Sequence, residues 1–169
     1  MIDFAKLIFY VAPMYFANST AMLFGGKTPI DFGAKFIDEK PLFGKGKTIK
    51  GTLIGIFCGS LAGAIISILY KNETSLLFAN YFLFSVLTST GAIIGDIVGS
   101  FIKRRIGIDS GKEAFILDQL DFIIGGIVFG LVVYSPSVLE IALICAATII
   151  IHKVSNWVAY KINLKKVPW

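Results

Sequence analysis

The stretch GDIVGSFIKRRIGIDSGKEAFILDQLDFIIGG, residues 95–126, joins the end of one long apolar run to the start of the next. Asp96 lies inside the first run. A basic knot, Lys103, Arg104 and Arg105, closes that run, and Asp109, Ser110, Gly111 and Lys112 follow. Asp118 and Asp121 stand at the mouth of the second run. Carboxylates at the edge of hydrocarbon are costly and mark function. Carboxylates beside a basic cluster suit a metal-bound polyphosphate.

Composition sets the class. Of the 169 residues, 56% are hydrophobic and only 16% are charged, against about 25% in a soluble domain. Mean hydropathy is +0.78. These values describe an all-α integral membrane protein. A span needs about 20 apolar residues, and five runs qualify: about 2–24, 51–70, 76–102, 117–134 and 138–160. The runs are too long for strands and do not alternate. The first lacks the basic start and small-residue cleavage site of a signal peptide. Without a linker or soluble module, residues 1–169 read as one membrane domain. Its larger loops are about 25–50 and 103–116. Lysine and arginine crowd those loops and the tail, where Lys161, Lys165 and Lys166 lie. The bias places both loops and the C-terminus in the cytosol and the N-terminus outside. The net charge of +5 is mostly this bias and does not argue for nucleic acid.

Glycine recurs every fourth residue within the runs, at Gly51, Gly55, Gly59 and Gly63, then at Gly91, Gly95 and Gly99, and again at Gly126 and Gly130. Each series leaves a bare strip where another helix can approach. The second strip borders Asp96. Asp96, Gly99, Ser100 and Lys103 share one helix face. Asp118 and Asp121, three residues apart, also share one. A helix N-terminus alone favours acids there. With Asp96 on the neighbouring helix, the carboxylates fit a hard cation such as Mg²⁺, which takes one or two carboxylates plus phosphate and water. No histidine or cysteine cluster suggests zinc. Cys58 and Cys145 lie in spans and show no metal spacing. Asn18-Ser19-Thr20 matches a glycosylation sequon but sits at the end of a span. His152, the one histidine, lies a turn before Asn156. Trp157, Tyr160 and Trp169 suit interfacial anchors.

The first loop ends Phe43-Gly-Lys-Gly-Lys-Thr-Ile-Lys-Gly51. Gly46-Lys47-Thr48 is similar to the close of a P-loop, but Pro41 stands where the first glycine belongs. Glycines and lysines at a helix N-terminus still make a phosphate cradle.

Ser100-Phe-Ile-Lys103-Arg104, Asp109-Ser110-Gly111 and Asp118-Gln-Leu-Asp121 together resemble the signature of the CDP-diacylglycerol synthases, membrane cytidylyltransferases. Small size, five spans and the Gly44–Gly51 loop are more similar to the archaeal branch, the CDP-archaeol synthases. The resemblance covers residues 43–126 and the layout of spans. Ile108, Gln119 and Lys50 depart from the wider pattern, and an expected His-Gly-Gly stretch is missing.

The resemblance implies transfer of CMP from CTP to a phosphorylated isoprenoid-ether glycerol lipid, with release of pyrophosphate. Asp96, Asp118 and Asp121 would hold Mg²⁺, and Lys103 would act beside them. Lys45, Lys47, Thr48, Lys103, Arg104, Asp109, Ser110 and Gly111 would bind the nucleotide. The partners implied are CTP, the lipid phosphate and the bilayer. Two alternatives are a CTP-dependent polyprenol kinase and a small cation channel or transporter. The channel reading needs polar residues through the full membrane depth, whereas here they gather at one end.

Overall fold

The computed structural model describes residues 4–163. Six helices follow in order: α1 (Phe4–Leu23), α2 (Ile49–Leu69), α3 (Lys71–Leu77), α4 (Tyr81–Arg105), α5 (Leu117–Gly130) and α6 (Val138–Lys161). Among the described residues no strand forms, and sheet-like pairing is limited to the bridges Pro29–Thr48 and Lys35–Pro41. Met1 to Asp3, with Ile2 of the first run, lie outside the described residues, as do Lys165, Lys166 and Trp169.

Three helices, α2, α4 and α6, are long and apolar enough to cross a membrane by length and composition. Two expected runs differ from what forms. The run expected from Leu76 is two elements, because the Asn80 side chain accepts the Leu83 N–H at 2.9 Å and caps α4 at Tyr81. Leu76 belongs to the short α3 instead. The run expected to Tyr134 is helical only to Gly130. Fourteen residues rise about 21 Å, short of the roughly 30 Å hydrocarbon core.

The glycine strips are packing faces, as their spacing indicates. A methyl group on Gly55 would sit 2.8 Å from the Ala17 carbonyl, and one on Gly59 would sit 2.7 Å from that of Pro13. The α2 strip therefore seats α1, and its Gly59 and Gly63 also meet Ser89 and Ser85 of α4. On α4, Gly91 and Gly95 face Gly125 of α5 backbone to backbone. Pro13 lies inside α1 and lacks the N–H that would bond the Phe9 carbonyl. The Tyr81 hydroxyl donates to that carbonyl at 2.7 Å instead.

Apolar packing concentrates at the end of the bundle away from the basic loops. Tyr10, Phe78, Phe84 and Tyr81 stack there, with Tyr10 and Phe84 ring centres 4.9 Å apart and Phe78 and Phe84 4.7 Å apart. Lys6 pairs with Glu140 at 3.0 Å and lies over the Tyr134 ring. These contacts fix the first turn of α6, which Ser137 and Glu140 cap reciprocally. Large apolar side chains such as Phe57, Ile68, Val132 and Ile150 point outward, the arrangement expected where lipid rather than water is the solvent.

Candidate active site

At the other end, α1, α2, α4, α5 and α6 and the two basic loops enclose a cavity of about 580 Å³. Local sequence explains how each wall forms. Thr48 caps α2, its hydroxyl accepting the Gly51 N–H at 3.1 Å and the Gly26 N–H at 3.0 Å. That cap sets Lys45, Gly46 and Lys47 along the cavity rim. Lys103, Arg104 and Arg105 form the last turn of α4, where the helix dipole favours cations. Gly107, at φ +85°, then turns the chain. Ile116 enters α5 at φ +72°, a strained conformation for a β-branched residue and one that clusters at functional sites. Gln119 Oε1 accepts the Ile116 N–H at 2.7 Å and holds that turn.

The charged groups interlock across distant segments. Lys47 Nζ reaches both Asp96 oxygens at 2.6 Å. Lys103 Nζ pairs with Asp118 Oδ1, and Asp118 Oδ2 accepts the Ala114 N–H at 2.7 Å. The shared face of Asp96 and Lys103 on α4 therefore does not make them a pair. Each carboxylate is met by a lysine from another element. Arg104 is 6% exposed and lines the cavity. Its Nε and Nη1 are buried without a hydrogen-bond partner among the described residues. A buried guanidinium with open donors calls for an anion.

Asp121 sits behind this layer. It is buried against Gly99, where a methyl group would lie 2.3 Å from its Oδ2. Oδ1 accepts the Phe122 N–H at 2.7 Å, while Oδ2 is buried with no hydrogen-bond partner among the described residues. Among the described residues, no three acidic, histidine or cysteine side chains gather as a ready metal cage. Carboxylate oxygens of Asp96 and Asp118, the ligand type that Mg²⁺ takes, are nevertheless among the groups that line the cavity.

Ser110, Gly111 and Thr48 line the cavity as well. Asp109 does not line it; it is exposed and pairs with Lys112 at 2.9 Å. The Lys112 hydrogen bond and charge hold its carboxyl below the ordinary range. Polar lining residues to which the sequence assigned no role include Asn18, Thr52, Glu113 and Asn156. Asn18 carried a usable signal, a polar side chain late in an apolar span. His152 lines the same wall beside Asn156, with Nδ1 3.2 Å from the Asn156 amide. Trp157 beside Asn156 and Tyr160 one turn further along α6 lie exposed.

Comparison with known proteins gives a consistent result. The family described as CarS-like: CDP-archaeol synthase matches residues 1–169. A CDP-archaeol synthase from Methanocaldococcus jannaschii is 44% identical over 176 residues, spanning 98% of this chain and 99% of that protein. One from Pyrococcus furiosus is 42% identical, spanning 97% of each. A solved structure, reported as structural insight into an intramembrane enzyme for archaeal membrane lipids biosynthesis, superposes with a TM-score of 0.83. It is 34% identical and covers 91% of this chain and 94% of that one. The chain therefore belongs to the CarS-like family, the CDP-archaeol synthases.

Proposed function

We propose that this protein is a membrane cytidylyltransferase. It joins the CMP of CTP to a phosphorylated isoprenoid-ether glycerol lipid, giving a CDP-archaeol-type lipid and pyrophosphate. One observation carries the reading beyond family membership. Lys47, Lys103 and the open donors of Arg104 converge with Asp96 and Asp118 on one cavity at one end of an apolar bundle. A soluble triphosphate and a membrane-held phosphate both reach such a place.

A lipid phosphate oxygen attacks the α-phosphorus of CTP. The bond from that phosphorus to the oxygen bridging to the β-phosphate breaks, and pyrophosphate leaves with the electron pair. The lipid phosphate is already an anionic nucleophile, so no covalent enzyme intermediate is required. Catalysis rests on positioning and charge neutralisation. Arg104 presents Nε and Nη1 to phosphate oxygens. Lys47 and Lys103 exchange their carboxylate partners for phosphate as the nucleotide enters. Asp96 and Asp118, so freed, would hold Mg²⁺, with Asp121 behind them; when bound, such an ion would supply charge neutralisation for the transferred and leaving phosphates. Ser110, Gly111, Lys45 and Thr48 frame the nucleotide, and Asp109 stands outside the cavity as a weaker contributor.

The orientation belongs to the same proposal: a five-helix membrane bundle with its N-terminus outside, and the cavity and C-terminus at the cytosolic face, where CTP is found. The positive bias of the two loops supports it.

The deciding experiment incubates purified protein with labelled CTP, Mg²⁺ and a geranylgeranyl-ether glycerol phosphate. The expected products are the CDP-lipid and pyrophosphate in equal amounts. Release of CDP with a polyprenol acceptor would instead identify a kinase, and ion flux without turnover would identify a channel.

A further inference from the structure

Asp31 lies outside the charged cavity, yet it shapes the cavity's basic rim. It is 8% exposed and, among the described residues, has no lysine or arginine ion-pair partner. Three backbone N–H groups meet it instead: Gly33 at 2.9 Å to Oδ1, and Phe43 at 3.0 Å and Gly44 at 3.1 Å to Oδ2. Burial alone would raise its pKa, but those backbone donors outweigh burial and hold it below the ordinary carboxylate range. The carboxylate thus acts as a fixed anion at the root of the loop that carries Lys45 and Lys47.

Two further features tie that loop in place. Ile30 N–H donates to the Lys47 carbonyl at 2.8 Å, and Ile49 N–H donates to the Thr28 carbonyl at 3.1 Å. Gly44 has φ +92°, and a methyl group there would sit 3.2 Å from Ser110 Oγ. The Asp31-held peptide at Phe43–Gly44, within the first basic loop, therefore lies beside Ser110 of the second. Phe43 itself lines the cavity.

We propose that Asp31 is a positioning residue for the nucleotide triphosphate: it fixes the Phe43–Gly44 backbone so that Lys45 and Lys47 meet the phosphates. The inference rests on the cytidylyltransferase reading for the identity of the nucleotide. Asp31 touches neither substrate. Removing it leaves three backbone N–H groups short of an acceptor, that of Gly44 buried and that of Phe43 partly so, and lets the loop relax, so nucleotide binding weakens while the lipid acceptor is untouched.

The test measures CTP binding directly, by equilibrium dialysis of labelled CTP with Mg²⁺ on detergent-purified full-length protein, alongside steady-state turnover. Asp31→Ala is expected to weaken CTP binding about tenfold, the scale of one set of stranded backbone donors. KM for CTP rises in parallel, while KM for the lipid phosphate stays within about twofold. Asp31→Asn retains an oxygen acceptor and is expected to fall between Asp31→Ala and the unaltered protein. Gly44→Ala, which strains the same peptide without removing an acid, is expected to reproduce the loss. These two variants carry the test if Asp31→Ala does not fold. Unchanged CTP affinity in folded Asp31→Ala, or in both other variants, overturns the proposal. Equal rises in KM for CTP and lipid overturn it too, because they mark general loosening. If unaltered protein binds CTP but makes no CDP-lipid, the functional reading fails while the Asp31 comparison still stands.

Discussion

Gly95→Ala probes how the bundle sets the active site. On Gly95, a methyl group would sit 2.2 Å from the Asp121 carbonyl oxygen and 2.9 Å from the Gly125 α-carbon. Both neighbours are backbone, so no side chain can swing aside. The contact is about 1 Å shorter than ordinary van der Waals approach, so α5 must move off α4 by a comparable distance. Overpacking of this kind costs about 1–3 kcal/mol. The displaced segment carries Asp118 and Asp121, while Asp96 and Lys103 remain on α4. A misplacement of about 1 Å at reacting groups costs roughly 100-fold in rate. Gly91→Ala is the control. It meets the Gly125 carbonyl at 2.4 Å and Phe129 Cβ at 2.7 Å, so it carries a similar packing cost. It lies one helical turn deeper, about 6 Å further from the cavity. The assay measures kcat with labelled CTP on matched folded protein, with thermal unfolding recorded alongside. Both variants should lower Tm, and Gly95→Ala should lose far more kcat. A Gly95→Ala variant with normal Tm and normal kcat would refute the close α4–α5 approach. Equal losses of kcat in the two variants would show that packing alone, not register at the site, limits the enzyme.

Asp96→Asn and Asp118→Asn should each reduce Mg²⁺-dependent transfer by at least about 100-fold while the protein remains folded, and Asp121→Asn should leave residual activity; near-normal turnover of Asp96→Asn at saturating Mg²⁺ would reduce the Lys47–Asp96 contact to a structural ion pair. Arg104→Met should raise KM for CTP by about tenfold or more, with little loss of Tm, because its Nε and Nη1 have no hydrogen-bond partner among the described residues to lose. A large drop in Tm with unchanged KM would contradict that. Between pH 5 and 8, CTP affinity should show no step from Asp31. Its folded pKa is depressed, so its contribution is present above the unfolded value and is lost only as pH falls through the folded one. A step removed by Asp31→Asn would refute this assignment. A cysteine placed in the Phe32–Lys40 segment should react only with reagents that have cytosolic access, and labelling from outside would overturn the orientation.

Much of this protein is legible in the chain alone because a membrane imposes simple rules. Apolar length marked the helices, and four-residue glycine spacing marked their contact faces, as Gly55 and Gly59 against α1 show. The groups of the 95–126 stretch also fell at one end of the bundle, since a hydrophobic interior leaves charges little other place to go. The helix limits were less legible. A sequence window cannot separate Leu76 from Tyr81, because the break depends on one cap at Asn80. Partner choice was decided only in three dimensions. Asp96 shares a helix face with Lys103, yet it pairs with Lys47, 49 residues away; Lys103 turns to Asp118 on α5. Helix periodicity fixes which side chains share a face, not which foreign charge is brought opposite, and packing of α2 and α5 on α4 settles that. Asp121 shows the same division. Its spacing from Asp118 is readable, but its burial against Gly99, behind the cavity, follows from a close approach of two glycine-lined helices that no single segment encodes.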